Sequence, residues 1–212
     1  MAELAVVLPL KDENTRIPDK NFCDLGGKPL YRWSLDKVLQ MYEVYIFGTR
    51  EVWFRVDPEV RDHCLWIEEE SPGYEDGMGF DVVVANVLGR DHMVMMIHAT
   101  APFIAPETYR TCVEAMGTHD SACTAIRHIG KFWTQNGERI NGPANFVPLT
   151  QNTEPIYQES DALWVYNTNL VLDHRRRIGF NPYFHVVEHP ESLDINWEED
   201  LIEARRIVDT SA

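Results

Sequence analysis

Two short stretches carry the residue types that do chemistry. In the first, residues 11–21, Lys11, Arg16 and Lys20 stand at irregular spacing among Asn14, Thr15 and Asn21. This polar loop follows directly on an apolar run at residues 4–10 and closes on Gly26-Gly27 and Pro29, which mark a tight turn and then the first turn of a helix. The order strand, charged loop, helix places a cationic loop at the carboxyl end of a parallel strand, where open α/β sheets bind their ligands. The second stretch is Asp194-Ile195-Asn196. On a strand end, Asp194 and Asn196 point to the same side. Converging oxygens suit Mg²⁺, which keeps several waters and takes one or two carboxylates plus substrate phosphates. A structural use competes: Asn196 followed three residues later by Glu199 is also an N-cap arrangement for a helix running to Val208.

The elements that must position these stretches read as an α/β chain. The run at residues 4–10 has the character of a strand buried on both faces. Residues 30–41 repeat apolar positions at Leu30, Trp33, Leu35, Val38 and Leu39, close to helical period. Residues 43–49 and 63–68 are short strand candidates with an irregular helical segment between them, and residues 68–76 form an acidic, turn-rich loop. A helix is expected over residues 76–90, with Val82, Val83, Ala85 and Val87 inward and Gly77 and Gly79 weakening its start. The continuous apolar run at residues 92–98 is the expected central strand. It empties into Ala99-Thr100-Ala101-Pro102-Phe103, and Pro106 opens a helix with Tyr109, Cys112, Val113 and Met116 on one face. Three strand-then-helix units imply a parallel sheet with right-handed crossovers.

From residue 120 the alternation breaks. Residues 121–126 read as a strand, Asn136-Gly137 as a hairpin turn, residues 142–156 as loop, 162–167 as strand and 168–174 as short helix. Residues 128–180 therefore read as an excursion from the sheet, ending near a basic tip, Arg175-Arg176-Arg177, taken as a solvated turn. The whole chain reads as one domain.

Composition limits the partners. A formal charge of -15 over 212 residues argues against nucleic acid or an anionic membrane. Residues 1–28 hold four basic residues (Lys11, Arg16, Lys20, Lys28) and five acidic ones (Glu3, Asp12, Glu13, Asp19, Asp24), so a divalent cation would have to help offset bound phosphates. Cys23, Cys64, Cys112 and Cys123 lack metal-site spacing and are read as reduced thiols of a cytoplasmic protein. No run reaches the roughly 18 apolar residues of a membrane span, and the acidic start lacks a signal peptide's basic region.

Pro9, Ile17, Pro18, Lys20, Asn21, Gly26, Gly27, Lys28, Pro29 and Leu30 stand where they are required in the signature of the cytidylyltransferases that activate acidic sugars such as sialic acid. The chain thus resembles that family, the CMP-N-acylneuraminate synthetase-like enzymes, as an atypical member. Lys11 replaces the signature's Arg, Asp12 and Glu13 replace small residues, and Thr15 stands where a phosphate-binding Lys is usual. Residues 98–103 match a second motif at Thr100 and Pro102 only. Leu149-Thr150-Gln151 occupies the place of Arg-Arg-Gln, and Glu68 that of an Arg near the nucleotide. Residues 157–164, Tyr-Gln-Glu-Ser-Asp-Ala-Leu-Trp, sit over Tyr-Arg-Glu-Asn-Gly-Ala-Ile-Tyr. Asp194 falls on the first aspartate of an Asp-Ile-Asp motif whose two aspartates serve the metal, and Asn196 on the second.

The resemblance implies a Rossmann-like, mostly parallel sheet sandwiched by helices, of the nucleotide-diphospho-sugar transferase type. It also implies a β-rich dimerisation arm at about 128–180 and a homodimer, with Trp133, Trp164, Tyr166, Phe180, Tyr183 and Phe184 read as core and dimer surface. The reaction implied is attack by an acceptor oxygen on the α-phosphate of CTP with release of pyrophosphate, assisted by Mg²⁺. Lys20, Arg16 and Asp194 would be catalytic. Leu8, Pro9, Leu10, Lys11, Asn14, Thr15, Arg16, Lys20, Asn21 and Thr100 would surround the nucleotide, and His98, Gln151, Tyr157 and Glu159 the acceptor. Asp194 and Asn196 would hold the metal. The acceptor is a small anion, either a sialic-acid-like 2-keto sugar acid or a phosphonate. A nucleotide-binding relative without turnover is the alternative.

Overall fold

In the computed structural model, which describes residues 3–12, 14–69 and 78–211, the first apolar run forms strand β1 (Leu4–Pro9). Its side chains divide by parity. Val6 and Leu8 enter one core and Val7 the other, as period-2 alternation in a doubly covered strand requires. The tight turn at Gly26-Gly27 joins the small strands β2 (Asp24–Leu25) and β3 (Lys28–Pro29), and both glycines take positive φ (63° and 87°). Helix α1 (Leu30–Val38) follows at once.

Strand β4 (Val44–Gly48) and β5 (Cys64–Glu68) flank two short helices, α2 (Arg50–Arg55) and α3 (Pro58–Arg61), which resolve the irregular segment between them. Helix α4 (Gly79–Leu88), strand β6 (Met93–Ile97) and helix α5 (Pro106–Ala115) complete the alternating part. The acidic loop and the expected helix start at residues 76–77 fall largely outside the described residues, as does Glu13.

The sheet has seven strands in the order β5-β4-β1-β6-β8-β7-β9, adding β7 (Ser121–His128), β8 (Ile156–Asn167) and β9 (Pro182–Val186). The β5, β4, β1 and β6 strands pair in parallel, so β6 is central as expected. Strand β8 runs antiparallel to both β6 and β7, while β9 is parallel to β7. Helix α6 (Thr168–His174) follows β8, and α7 (Glu198–Ser211) closes the chain against the β2–β3 hairpin through Leu201 and Ala204.

Three expectations are corrected. The excursion from the sheet is not continuous over residues 128–180, because β8 inserts between β6 and β7; residues 129–155 and 168–180, the latter including α6, lie outside the strands. Its hairpin is reduced to a single bridge, Trp133 with Arg139, around Gly137. Helix α4 is rotated from the expected face: Val84 is buried, while Val87 is 60% exposed. The reason is Asp81, which is fully buried and fixes the inward face at 81, 84 and 85. Strand β9 was not among the expected elements, since an edge strand of intermediate burial along nearly its whole length shows no clear polar face.

Candidate functional site

A cavity of about 420 Å³ opens at the carboxyl ends of β1 and β6. After β1 the chain builds outward through β4 and β5, then returns to the other side of β1 as β6. The strand order reverses between β1 and β6, and a crevice at that point is where open α/β sheets bind ligands. Pro9 and Leu10 line it from one strand end, and His98, Ala99 and Thr100 from the other.

The first loop supplies Lys11, Asn14, Arg16, Lys20 and Asn21 to the cavity wall. Its excess of acid is neutralised from behind. Arg55 of α2 donates to Asp12 at 3.0 Å and to Asp19 at 2.5 Å. The cations left facing the cavity are therefore not cancelled by Asp12 and Asp19. Asn14 and Asn21 both donate from their side-chain amides to the Lys11 carbonyl, at 3.3 and 3.1 Å, which holds the loop curved.

The second stretch meets the first across the cavity mouth. Lys20 is buried and its Nζ donates to the Ile195 carbonyl at 2.7 Å. Burial lowers the Lys20 pKa, with the Asp194 charge pulling the other way. Arg16 donates to Asn196 Oδ1 at 2.7 Å and stands over the Trp197 ring at 4.9 Å. The Asn196 amide nitrogen in turn donates to Asp194 Oδ2. Asp194 and Asn196 lie on a loop, not a strand end, and Asn196 is not the side-chain cap of α7. Asp200, in the first turn of α7, instead reaches back, its Oδ2 accepting from the backbone N–H of Asn196 and of Trp197 at 2.8 and 2.7 Å.

Asp194 Oδ1 is buried and has no hydrogen-bond partner among the described residues. Burial raises the Asp194 pKa, with the Thr100 hydroxyl and the Asn196 amide drawing it back. An orphaned carboxylate oxygen beside a cationic cavity fits a hard divalent cation, which takes oxygen ligands.

Across β6, His98 meets Trp164 edge to face at 4.9 Å between ring centroids. Its pKa falls to about 4, through burial first and then the Arg177 charge, against a hydrogen bond to the Asp161 backbone. Arg177, expected in a solvated turn, is instead an interior residue whose guanidinium lies over Trp164 at 4.6 Å and donates to the buried Asp81 at 2.8 Å. Its two neighbours made the triplet look like surface.

Of the expected site residues, Pro9, Leu10, Lys11, Asn14, Arg16, Lys20, Asn21, His98, Thr100, Asp194 and Asn196 line the one cavity. Leu8 lies in the core and Thr15 is exposed, and neither is among the lining residues. Glu159 is exposed, is not among the lining residues, and accepts from the Trp164 indole at 2.6 Å. Tyr157 stacks on Phe184 at 5.3 Å, and Gln151 is exposed in the turn Thr150–Asn152. Sequence reasoning missed five lining residues: Phe47, Glu69, Phe80, Ala99 and Asp161. Glu68, aligned with an Arg of the resembling family, is exposed, and it is Glu69 that turns in, with burial raising its pKa. Asp161 carried a signal, an aspartate where the resembling motif has glycine.

Residues 5–211 match the family model described as Cytidylyltransferase. Over 123 residues the chain is 28% identical to the 3-deoxy-manno-octulosonate cytidylyltransferase of Vibrio cholerae serotype O1 (strain M66-2), covering 57% of this chain and 46% of the relative. Over 196 residues it is 22% identical to the enzyme of that name from Coxiella burnetii (strain Dugway 5J108-111), covering 85% and 76%. The match to the first of these thus spans about half of that relative's length. Among solved structures, 4-diphosphocytidyl-2C-methyl-D-erythritol synthase from Anaerococcus prevotii DSM 20548 superposes with a TM-score of 0.72 at 12% identity, covering 98% of this chain and 96% of that one. CMP:2-keto-3-deoxy-manno-octonic acid synthetase complexed with CTP superposes with a TM-score of 0.67 at 13% identity over the full length of both chains. At these identities the structural likeness is one of fold.

Proposed function

This chain belongs to the cytidylyltransferase family, and from that premise we propose that it transfers CMP from CTP to a small anionic acceptor of the 2-keto sugar acid class. The relatives reported above are named for an octulosonate, so the resemblance to the sialic-acid branch narrows to the family as a whole and the acceptor is kept at the level of its chemical class. The observation that carries the reading is the cavity at the β1–β6 switch point, where Lys11, Arg16 and Lys20 face Asp194.

In the proposed reaction an acceptor hydroxyl oxygen attacks the α-phosphorus of CTP. The bond from that phosphorus to the bridging oxygen breaks, pyrophosphate leaves with the electron pair, and the hydroxyl proton passes to solvent. Such chemistry asks the protein for positioning and charge stabilisation. Lys11, Arg16 and Lys20 supply positive charge to the phosphates, and the curved loop held by Asn14 and Asn21 presents them together. Asp194 would hold Mg²⁺, which when bound orients the phosphates and offsets their charge.

We further infer a cytoplasmic homodimer. The segment between β7 and β8 exposes Ile129, Trp133, Ile140, Phe146, Val147 and Leu149, with Phe146, Val147 and Leu149 each more than 60% exposed. Such a surface suits burial against a second copy, and in that arrangement Gln151 and Tyr157 would face the neighbouring cavity. The four cysteines are unpaired, and among the described residues no helix is long and apolar enough to cross a membrane.

The test is thermal unfolding with each of the four ribonucleoside triphosphates, with and without Mg²⁺. Ligand at about 100 times its dissociation constant adds about 2.7 kcal/mol, a rise of roughly 5 to 11 °C for a chain of this size. A rise with CTP that grows with Mg²⁺ supports the reading. No rise with any nucleotide moves it to a relative without turnover.

A further inference from the structure

We propose that Asp161 is the second carboxylate of the divalent-cation site, standing in for the aspartate this chain lacks at position 196. The inference rests on the proposed Mg²⁺-assisted reaction and concerns which residues of this chain serve it.

Asn196 is already committed. Its side-chain oxygen accepts from Arg16 at 2.7 Å, and its nitrogen donates to Asp194. A cation on that oxygen would sit against the Arg16 guanidinium, so like charge opposes it there. Asp194 keeps one carboxylate oxygen, Oδ1, buried without a hydrogen-bond partner among the described residues. One carboxylate of single charge leaves a divalent cation under-compensated on the protein side, and a second is common where Mg²⁺ bridges to phosphates.

Asp161 is placed to supply it. The His98 N–H donates to the Ala162 carbonyl at 3.1 Å, and the Ile195 N–H donates to the Thr100 carbonyl at 2.8 Å. The residues next to Asp161 and Asp194 are thus pinned two positions apart on the turn that leaves β6, and both aspartates line the same cavity. Glu69, the other carboxylate of the wall, hangs from Gly48 at the end of β4, on the far side of β1.

The backbone at Asp161 explains how the side chain reaches in. The β7–β8 register runs Cys123 with Trp164, then Ala125 with Glu159, so extra residues of β8 bulge out between those pairs. Asp161 sits in that bulge with φ 54°, a left-handed conformation that glycine takes freely and aspartate tolerates. Bulges beside active sites re-aim side chains. The resembling motif has glycine there. Here an aspartate occupies the turn, and the aspartate of the 196 position is lost.

The probe is Mn²⁺, titrated into the full chain alone and with CTP and followed by the electron paramagnetic resonance of the free ion. Asp161→Gly and Asp161→Asn are expected to weaken Mn²⁺ binding at least tenfold, with Asp161→Gly melting no lower than the parent protein because glycine suits the backbone. Wild-type affinity in Asp161→Gly, with loss in Asp194→Ala, removes Asp161 from the site and leaves the proposed reaction standing. Loss in Asp161→Gly with parent affinity kept in Asp161→Asn, which tolerates the left-handed turn but lacks the charge, assigns Asp161 to shaping the bulge and overturns its role as ligand. No Mn²⁺ binding by the parent protein under either condition overturns this proposal and the Mg²⁺-assisted reaction together.

Discussion

The Arg177 guanidinium donates to the Asp81 carboxylate at 2.8 Å across 96 residues of sequence, and that carboxylate is fully buried. Tyr166 donates its hydroxyl to the other oxygen at 2.7 Å. The same guanidinium lies over Trp164 and, at 5.4 Å, over Phe80, which lines the cavity. One buried ion pair therefore fixes helix α4, the chain after α6 and one wall of the site. Burial raises the Asp81 pKa even so, with Arg177 and Tyr166 drawing it back.

Removing one partner of a buried pair leaves the other charge uncompensated, which costs about 3–5 kcal/mol. Arg177→Met is expected to lose stability in that range by urea denaturation. A loss below about 1 kcal/mol would mean that the pair is solvent-screened and that α4 is held by its apolar face alone.

Lys20 is asked for two things, a charge toward substrate and a hydrogen bond to Ile195. Removing one preorganised charge-stabilising donor costs roughly 10²–10³ in turnover. Lys20→Met should show a fall of that size in pyrophosphate release with an unaltered circular dichroism spectrum. Turnover within threefold of the parent would take Lys20 out of the reaction and leave it a loop tie.

His98 makes stability depend on pH. Its pKa is lowered in the fold to about 4 from 6.5. Between those values the unfolded chain binds the extra proton and the folded chain does not, so stability rises with pH across that window. The neutral ring's contribution is complete above about pH 6.5 and is lost as pH falls through about 4. The shift corresponds to at most about 3 kcal/mol, less where water reaches the ring. Denaturation midpoints from pH 4 to 7 should flatten in His98→Gln; an unchanged slope would place the titration elsewhere.

Much of the fold was legible because it rests on short-range signals. The strands at β1, β4, β5 and β6, the glycine turn before α1 and the proline that opens α5 each announce themselves within a few residues. Strand β8 was legible only in its second half. Residues 156–161 alternate poorly because a bulge interrupts them, and the break in register that defines the bulge is a property of the pairing with β7. For the same reason Asp161 read as one more polar residue.

The site was legible where one local stretch supplies it, and illegible where two stretches must meet. The sequence by itself determined the α/β class, the central strand and the cationic loop, since periodicity and turn chemistry act over a few residues. It also carried the match to the cytidylyltransferase family. Only the tertiary structure decided which charges face the cavity. Arg55 withdraws Asp12 and Asp19, Arg16 takes the oxygen of Asn196, and Lys20 reaches Ile195, over separations of 36 to 180 residues. A charged side chain has no local preference between water, a distant partner and a ligand; its environment, and hence its role, is set by whatever the fold brings within a few ångströms.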